Sequence, residues 1–198
     1  ISWATPLEST QLTEELNQWL KQIKKSGKLN YLYKRYFKNP NSVPQHTSKY
    51  KLLKKGQISP FDTLIKEQSR RLGWDWRFLA ALIFVESQFD PTAQSHLGAY
   101  GLMQVIPETA EQFQVIDYFQ ADSNVYVGVS YLQYLDKFLK PYVADSTERV
   151  KFILASYNAG AGHILDAIRL ARKYGKNPQI WKNNVDYYVE HKNEPLYY

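Results

Sequence analysis

The sequence predicts an all-α fold, because apolar residues recur at helical spacing from residue 58 onward while alternating period-two runs are few. Helix punctuation supports the same class: prolines stand where first turns would begin, and glycines stand where helices would end. Of the 198 residues, 44% are hydrophobic, which is enough to bury one core without disulfides. We therefore expect one globular helical domain with an N-terminal appendage.

Six helices are predicted after residue 57, and each follows from a start or stop signal. Asp, Asn and Thr side chains can cap a first turn, proline suits that turn, and glycine favours the position after the last one. The first predicted helix covers 63–72, the second is capped by Asp75 and ends before Asp90-Pro91, and the third starts at Pro107. The fourth is capped by Asn124 and ends before Pro141. The fifth is capped by Thr147 and leads to Ser156, and the sixth covers about 162–174, with Gly175 as its stop.

The upstream segment differs from the rest of the chain in pattern and in charge. Residues 10–37 read as one or two amphipathic helices, with Gly27 as a stop. Residues 1–56 hold 11 basic and 3 acidic side chains, a balance of +8, whereas residues 57–198 hold 14 and 16, a balance of −2. We predict a helical segment over 1–38, a polar linker over 39–57 and the main domain over 58–198. The apolar stripe of the upstream helix is Leu12, Leu16, Trp19, Leu20 and Ile23.

Composition also excludes several classes of function. Cysteine is absent, which excludes thiolate metal sites and cysteine nucleophiles. The four histidines, at 46, 96, 163 and 191, have no His-X-X-X-His spacing, so we predict no metal and no cofactor. Basic residues form no stripe through the larger segment, which disfavours a nucleic-acid partner. No apolar run approaches the roughly 20 residues of a membrane span. The first residues lack signal-peptide features and a starting Met, so a processed form or a fragment is expected.

Glu86 ends the most apolar run of the chain, FLAALIFV. Helical spacing places it on the same face as Leu79, Leu82 and Ile83. A carboxyl group there is partly withdrawn from water, which raises its pKa and suits a general acid. The alternative is a helix-terminal glutamate that faces solvent or pairs with one of three nearby arginines, namely Arg70, Arg71 and Arg77.

A glycine-punctuated loop, SHLGAYGLMQ, follows that helix. Gly98 and Gly101 permit positive φ angles or a close approach of a ligand to the backbone. Ser95 and Gln104 add a hydroxyl and an amide near its two ends. Such turns are common, and by default Ser and Gln cap turns or face solvent, while Met103 fills a core.

Two stretches of the chain resemble the lytic transglycosylases that cleave bacterial peptidoglycan. ESQFDPTAQSHLGAYGLMQVIPETA, over residues 86–110, is similar to the first signature of that family, and ASYNAG, over 155–160, is similar to its second. The resemblance covers about residues 59–190, and it implies a lysozyme-like, all-helical catalytic domain. It also implies a place in the periplasm, with outer-membrane attachment of a longer form.

The resemblance also implies roles for individual residues. Glu86 would be the catalytic acid, and Tyr157 would hydrogen-bond it and hold its orientation. Ser95 and Gln104 would line the groove and contact acetamido groups or hydroxyls of the sugar. Asn158 would secure the turn into Ala159-Gly160 and contact the substrate, and either Tyr188 or its neighbour Tyr187 would lie near the site. Met103 and Tyr100 would wall the cleft, although packing explains each of them equally well.

The family reaction needs only one carboxyl group. Glu86 would protonate the oxygen between N-acetylmuramic acid and N-acetylglucosamine, and then, as a base, take the proton of the muramic acid 6-hydroxyl, which closes a 1,6-anhydro ring. Two alternatives remain open at this stage. A goose-type-lysozyme-like muramidase would hydrolyse the same bond, with Asp90, Asp117 or Asp122 as a second carboxylate. A catalytically silent protein would only bind peptidoglycan.

The upstream segment resembles the end of a periplasmic amino-acid-binding module. The stretch ISWATPLESTQLTEELNQWLKQIKKSGKLNYLYKRYF carries that resemblance. It implies that residues 1–38 are the C-terminal remnant of such a module and precede the catalytic domain.

Overall fold

The computed structural model describes residues 10–26 and 56–191. The chain divides into two units, residues 1–56 and residues 57–198. The first unit contains α1, Thr10–Lys25, where Trp19 is exposed. The other side chains of its predicted apolar stripe, Gly27, the predicted helical residues that follow it and nearly all of the predicted linker lie outside the described residues. The assignment of these segments as remnant and linker stays a prediction.

The second unit is built from helices, and the described residues contain no strand, only isolated bridges at Tyr100. The all-α class is therefore confirmed. In chain order its elements are α2 (Asp62–Leu72), α3 (Trp76–Ser87), α4 (Pro107–Gln112), α5 (Ala121–Leu139), α6 (Ser146–Ala159), α7 (Ala161–Lys173), a short π-helical turn (Trp181–Val185) and α8 (Asp186–His191).

Local capping signals set most of these boundaries. The Asp75 carboxylate accepts a hydrogen bond from the Arg77 N–H at 2.8 Å and caps α3, as predicted. Pro107 occupies the first turn of α4, also as predicted. Gly175 follows α7 with a φ of 73°, a left-handed conformation that glycine adopts without steric cost.

Two predicted caps are wrong. Asp145, and not Thr147, caps α6, because its carboxylate accepts from the Glu148 N–H at 2.7 Å. Asn124 does not cap α5, which begins at Ala121; it lies inside the first turn, where its side chain is fully buried. Asn124 instead makes hydrogen bonds to the backbone of Tyr100 and Met103, in the glycine-punctuated loop.

The core forms around α5, which packs against α2, α4 and α6. α6 in turn packs against α7, and α7 packs against α8. α2 also packs against α3, which carries Glu86. Among the described residues, no helix combines the length and the apolar character needed to cross a membrane. The fully buried large side chains include Ile65, Leu79, Ile83, Leu102, Leu132, Leu135, Leu139, Phe152 and Ile164.

Candidate active site

Glu86 lies in the last turn of α3, on the face predicted from its spacing. Leu79, Leu82 and Ile83 on that face are buried, and Glu86 itself is half-buried. Its Oε1 atom is buried and has no hydrogen-bond partner among the described residues. Burial raises the pKa of Glu86 above the ordinary glutamate value of 4.5. One of its carboxyl oxygens is therefore shielded from water, and the group holds its proton more tightly than an exposed glutamate does.

Ser87 connects the end of α3 to the glycine-punctuated loop. Its buried hydroxyl lies within hydrogen-bond distance of two carbonyl oxygens, that of Ile83 at 3.1 Å and that of Leu102 at 2.9 Å. After Ser87 the chain turns sharply, because Gln88 and Phe89 both have positive φ angles, 53° and 60°. Non-glycine residues adopt this conformation at a cost, which the surrounding contacts must offset. The helix end beside Glu86 is thus held in one arrangement.

The loop itself lies directly on the first turn of α5. Gly101 has a φ of 78°, and a Cβ atom built on it would lie only 2.5 Å from Nδ2 of Asn124. A side chain cannot fit in that space, so the glycine is needed for the close approach as well as for the backbone angle. Gly98, by contrast, has a φ of 84° and open space around it.

Asn124 is the residue that holds the loop. Its Oδ1 accepts from the Met103 N–H at 2.8 Å, and its Nδ2 donates to the carbonyl oxygens of Tyr100 at 2.9 Å and Tyr118 at 3.0 Å. A fully buried amide with these three bonds fixes the loop to α5. This role was not predicted, because an asparagine near the start of a helix can also act as the cap of that helix.

Met103 forms part of the core beneath the loop. Its side chain is fully buried, and its Sδ atom would lie 2.5 Å from a Cβ added to Gly128 of α5. The prediction that this side chain walls the cleft is therefore wrong, and the packing alternative is correct. The backbone of Met103 still serves the site, because its carbonyl oxygen faces Tyr157.

Tyr157 lies near Glu86, but its hydrogen bond goes elsewhere. The phenol donates to the carbonyl oxygen of Met103 at 2.6 Å, so the predicted donation to Glu86 is not made. Burial, the negative charge of Glu86 and the nearby Tyr131 together raise the pKa of Tyr157 far above the ordinary tyrosine range. The phenol therefore stays neutral, and its one proton is committed to Met103.

Ser95 and Gln104 organise the two ends of the loop. The Ser95 hydroxyl oxygen accepts from the backbone N–H groups of Leu97 at 3.3 Å and Ala99 at 3.0 Å. The Gln104 amide nitrogen donates to the carbonyl oxygens of Ala93 and Gly101. These bonds leave the Ser95 proton and the Gln104 side-chain oxygen for other partners. Their contact with a sugar stays a prediction.

The remaining predicted residues lie in different surroundings. Tyr100 is half-buried and packs edge-on against Phe119, with ring centroids 5.0 Å apart. Asn158 is exposed and donates to the carbonyl oxygen of Leu154 at 3.2 Å, within its own helix. Tyr188 is buried against Tyr174, whereas its neighbour Tyr187 is exposed. The structure thus brings Glu86, Tyr157 and the loop together, whereas Asn158 lies exposed in α6 and Tyr188 lies buried in α8.

The three acidic residues that a muramidase could use as a second carboxylate have settings of their own, and burial is the cause of the raised pKa of Glu86. Asp117 and Asp122 are exposed, and the Asp90 carboxylate accepts from the N–H and the hydroxyl of Thr92 within its own turn. Within residues 10–26 and 56–191, no group of three His, Asp or Glu side chains is arranged to hold a metal ion. Glu86 is thus a carboxyl group that could transfer a proton at this site.

Comparison with known proteins places this site in a family. The model of the transglycosylase SLT domain matches residues 63–180. The chain is 34% identical to membrane-bound lytic murein transglycosylase F of Desulfosudis oleivorans, over 96% of this chain and 44% of that protein. It is 30% identical to the protein of the same name from Hahella chejuensis, over 91% of this chain and 36% of that protein.

The chain thus spans less than half the length of these curated relatives. Among solved structures, the 70 kDa soluble lytic transglycosylase of Escherichia coli is 26% identical, with a TM-score of 0.42, over 52% of this chain and 17% of that one. The domain match covers more than half of the present chain, including Glu86, the glycine-punctuated loop and Tyr157. The chain therefore belongs to the transglycosylase SLT domain family.

Proposed function

We propose that residues 58–198 form a lytic transglycosylase domain that cleaves the bond between N-acetylmuramic acid and N-acetylglucosamine in peptidoglycan. The observation that carries this proposal is Glu86: a buried, unpartnered carboxyl oxygen with a raised pKa, beside the loop that bears the family's signature. The names of the relatives support the same substrate, since they are called lytic murein transglycosylases.

In the first step Glu86 acts as the acid. Burial keeps the carboxyl group protonated to a higher pH than an exposed glutamate would be, so a proton is available for the glycosidic oxygen. Transfer of that proton lets the bond from C1 of the muramic acid to the glycosidic oxygen break. The N-acetylglucosamine leaves as an alcohol, and Glu86 is left as a carboxylate.

In the second step the same carboxylate acts as the base. Tyr157 has committed its proton to Met103, so it does not stabilise the anion by donation. A carboxylate that is partly withdrawn from water and receives no hydrogen bond from Tyr157 is a stronger base. It takes the proton of the muramic acid 6-hydroxyl. The 6-oxygen then bonds to C1, which gives a 1,6-anhydro sugar and restores the protonated Glu86.

A second carboxylate is not needed, because the nucleophile is part of the substrate. Well-oriented intramolecular groups reach effective concentrations on the order of 10⁵ M or more. A retaining hydrolase places its second carboxyl group about 5 Å from the first, where its charge would act on the pKa of the acid. Burial, and not a neighbouring carboxylate, accounts for the raised pKa of Glu86. This pattern disfavours a retaining hydrolase, whereas an inverting one, with its carboxyl groups about 6.5–9.5 Å apart, is distinguished by its products.

The loop supplies the groups that would hold the sugar. Under this proposal the Ser95 hydroxyl and the Gln104 side-chain oxygen contact the acetamido group or the hydroxyls, and Tyr100 provides an aromatic wall. The exposed Asn158 could also contact the strand, and of the two neighbouring tyrosines the exposed Tyr187, and not the buried Tyr188, could reach it. No metal or organic cofactor takes part in either step. The substrate places the domain in the periplasm, and the membrane-bound relatives suggest attachment of a longer form to a membrane.

Product analysis tests this proposal. Purified sacculi are digested with the full chain, and the soluble fragments are examined by mass spectrometry. The expected fragments end in 1,6-anhydro-N-acetylmuramic acid, which is one water lighter than the hydrolysis product. Fragments with reducing ends alone would support a goose-type-lysozyme-like muramidase instead. Binding to sacculi without any release of fragments would support a silent peptidoglycan-binding protein.

A further inference from the structure

A line of aromatic side chains runs along α5 and past its end. Tyr131, Tyr134, Phe138 and Tyr142 are separated by three, four and four residues, which places them on one helical face. Adjacent ring centroids lie 6.0, 5.9 and 6.2 Å apart in that order. We call these four residues the α5 aromatic stripe. Its rings form a continuous row and not a scatter of separate side chains.

The stripe lies beside the core contacts of α5, and two of its four rings are exposed. Leu132, Leu135 and Leu139 of the same helix are fully buried, whereas Tyr134 is 41% exposed and Tyr142 is 39% exposed. Single exposed aromatic residues are ordinary, but a row of four on one face is a candidate binding surface. The stripe is not needed to fill the core that α5 already forms with its leucines.

One end of the stripe reaches the candidate active site. The Tyr131 ring lies 5.7 Å from the ring of Tyr157, centroid to centroid. Tyr157 donates to Met103 in the loop, and the charge of Glu86 acts on it. The row of rings is therefore continuous with the place where the glycosidic bond would be cut.

We propose that the α5 aromatic stripe binds the glycan strand beyond the cleaved bond, with the apolar faces of successive sugar rings lying on Tyr134, Phe138 and Tyr142. The ligand class is a linear polymer of N-acetylated hexoses. This proposal rests on the proposed function. The proposed function concerns the bond that is cleaved, and the stripe adds a binding surface for the neighbouring part of the same strand.

Three features favour a sugar strand over a protein partner. The stripe is linear: from Tyr131 to the end of α5 at Leu139 it rises by about 12 Å, at about 1.5 Å per residue, and Tyr142 continues it. Three of its four side chains are tyrosines, which offer an apolar face together with a hydroxyl that can bond to sugar hydroxyls and amides. Its four side chains carry no formal charge, so they would bind through contacts with the sugar rings and not through ion pairs.

Binding in the absence of cleavage tests the stripe. The chain with Glu86→Gln is titrated with two probes: peptide-free glycan strands of eight or more disaccharides, and a single tetrasaccharide. Adding Tyr134→Ala and Tyr142→Ala together should weaken binding of the long strands about tenfold, which corresponds to about 1.4 kcal/mol. Binding of the tetrasaccharide should stay the same, because it reaches only the residues around Glu86.

A matched control comes from the same helix. Tyr126 is 43% exposed on α5, but it lies under the Arg71 guanidinium and outside the stripe. Tyr126→Ala should leave both affinities unchanged. Tyr134→Phe, which keeps the ring, should retain most of the long-strand affinity. These variants separate loss of the row of rings from a general loss of exposed aromatic surface.

The outcomes distinguish this proposal from the proposed function. If the double variant binds long strands as tightly as its Glu86→Gln parent, the stripe does not hold glycan, and the proposed function, which the product analysis tests separately, still stands. If the double variant instead loses self-association in sedimentation, the stripe binds a second copy of the chain and the proposal is overturned. If the Glu86→Gln chain binds neither probe and the unmodified chain releases no anhydro fragments, the proposed function and the stripe proposal both fail.

Discussion

Two ionisable side chains that are partly or wholly withdrawn from water, Arg149 and Glu86, differ in how their polar atoms are paired. Arg149 in α6 is only 6% exposed, and the structure surrounds it with acceptors. Its Nε donates to the Asp136 carboxylate at 2.7 Å, and its Nη1 donates to the carbonyl oxygens of Val143 at 2.8 Å and Ala144 at 2.9 Å. This charge is compensated, and it ties α6 to α5 and to the turn between them.

Glu86 has no such compensation. One of its carboxyl oxygens is buried without a hydrogen-bond partner among the described residues, and burial raises its pKa. An unsatisfied buried carboxyl group costs stability, so its retention in a sequence calls for a reason other than folding. The difference indicates that Arg149 serves the fold and Glu86 serves the chemistry.

Cavity size does not make this distinction. A cavity of about 540 Å³ adjoins Arg149, with Arg71, Trp74, Asp136 and Lys137 also in its lining. Neither Glu86 nor Tyr157 lines it. We locate the site by the unpartnered acid and its loop, because a cavity without a reactive group performs no chemistry.

The largest expected effect is the loss of activity in Glu86→Gln. An amide of the same shape cannot donate a proton and then recover it, so release of fragments from sacculi should fall by about 10²- to 10⁴-fold. Turbidity loss of a sacculus suspension measures this rate. Glu67→Gln, an exposed glutamate on α2, should lyse at the rate of the unmodified chain. Undiminished lysis by Glu86→Gln would show that another group is the acid.

Arg149→Met should give the largest loss of stability. It leaves the carbonyl oxygens of Val143 and Ala144 without their donor and removes the Asp136 ion pair, at a cost of about 3 kcal/mol. Urea unfolding followed by circular dichroism measures the free energy of unfolding. Arg77→Met is the control, because its pair with Asp75 is exposed on both sides and contributes about 0.5 kcal/mol or less. Equal losses in the two variants would contradict the structural role of Arg149.

Gly101→Ala should disturb the loop that accompanies Glu86. The added methyl group meets the Asn124 amide in a backbone conformation that alanine disfavours, which together cost about 2–3 kcal/mol. Gly98→Ala is the matched control, because its φ is also positive but the space around it is open. The difference in unfolding free energy between the two variants measures the contact with Asn124. If the variants unfold alike, Asn124 does not hold the loop as described.

The smallest expected effect is a pH-dependent gain of stability in Glu86→Gln. The pKa of Glu86 is higher in the folded state than in the unfolded state, so the folded chain binds the proton more tightly and loses stability as pH rises between those two values. The glutamine variant has no such loss. It should melt at a higher temperature than the unmodified chain near neutral pH, and at the same temperature below the unfolded pKa. A gain that persists at low pH would contradict this explanation.

Local signals in the sequence predicted many of the helix boundaries correctly. Asp75, Pro107 and Gly175 act within a turn of their own positions, and each was predicted correctly. Thr147 failed because two other capping residues precede it and Asp145 makes the bond. The buried face of Glu86 was predictable for the same reason, since residues one and two turns earlier in the same helix define it.

Long-range contacts in the site could not be predicted in this way. Asn124 bonds to a loop more than 20 residues earlier, and Tyr157 bonds to Met103 at a separation of 54 residues. Met103 packs on Gly128 of a different helix. The family resemblance predicted correctly that Tyr157 lies near Glu86, but the predicted hydrogen bond to Glu86 is wrong. A sequence motif does not determine which acceptor a phenol uses.

A titration of the Glu86 carboxyl group tests the central claim most directly. The chain is labelled with carbon-13 at the glutamate side-chain carbonyl, and the resonance of Glu86, assigned by its absence from Glu86→Gln, is followed from acid to alkaline pH. A carboxyl group that is partly withdrawn from water predicts a pKa above the ordinary value of 4.5. If Glu86 titrates at or below that value, the carboxyl group is solvated or paired, and it is not the protonated acid that the mechanism needs.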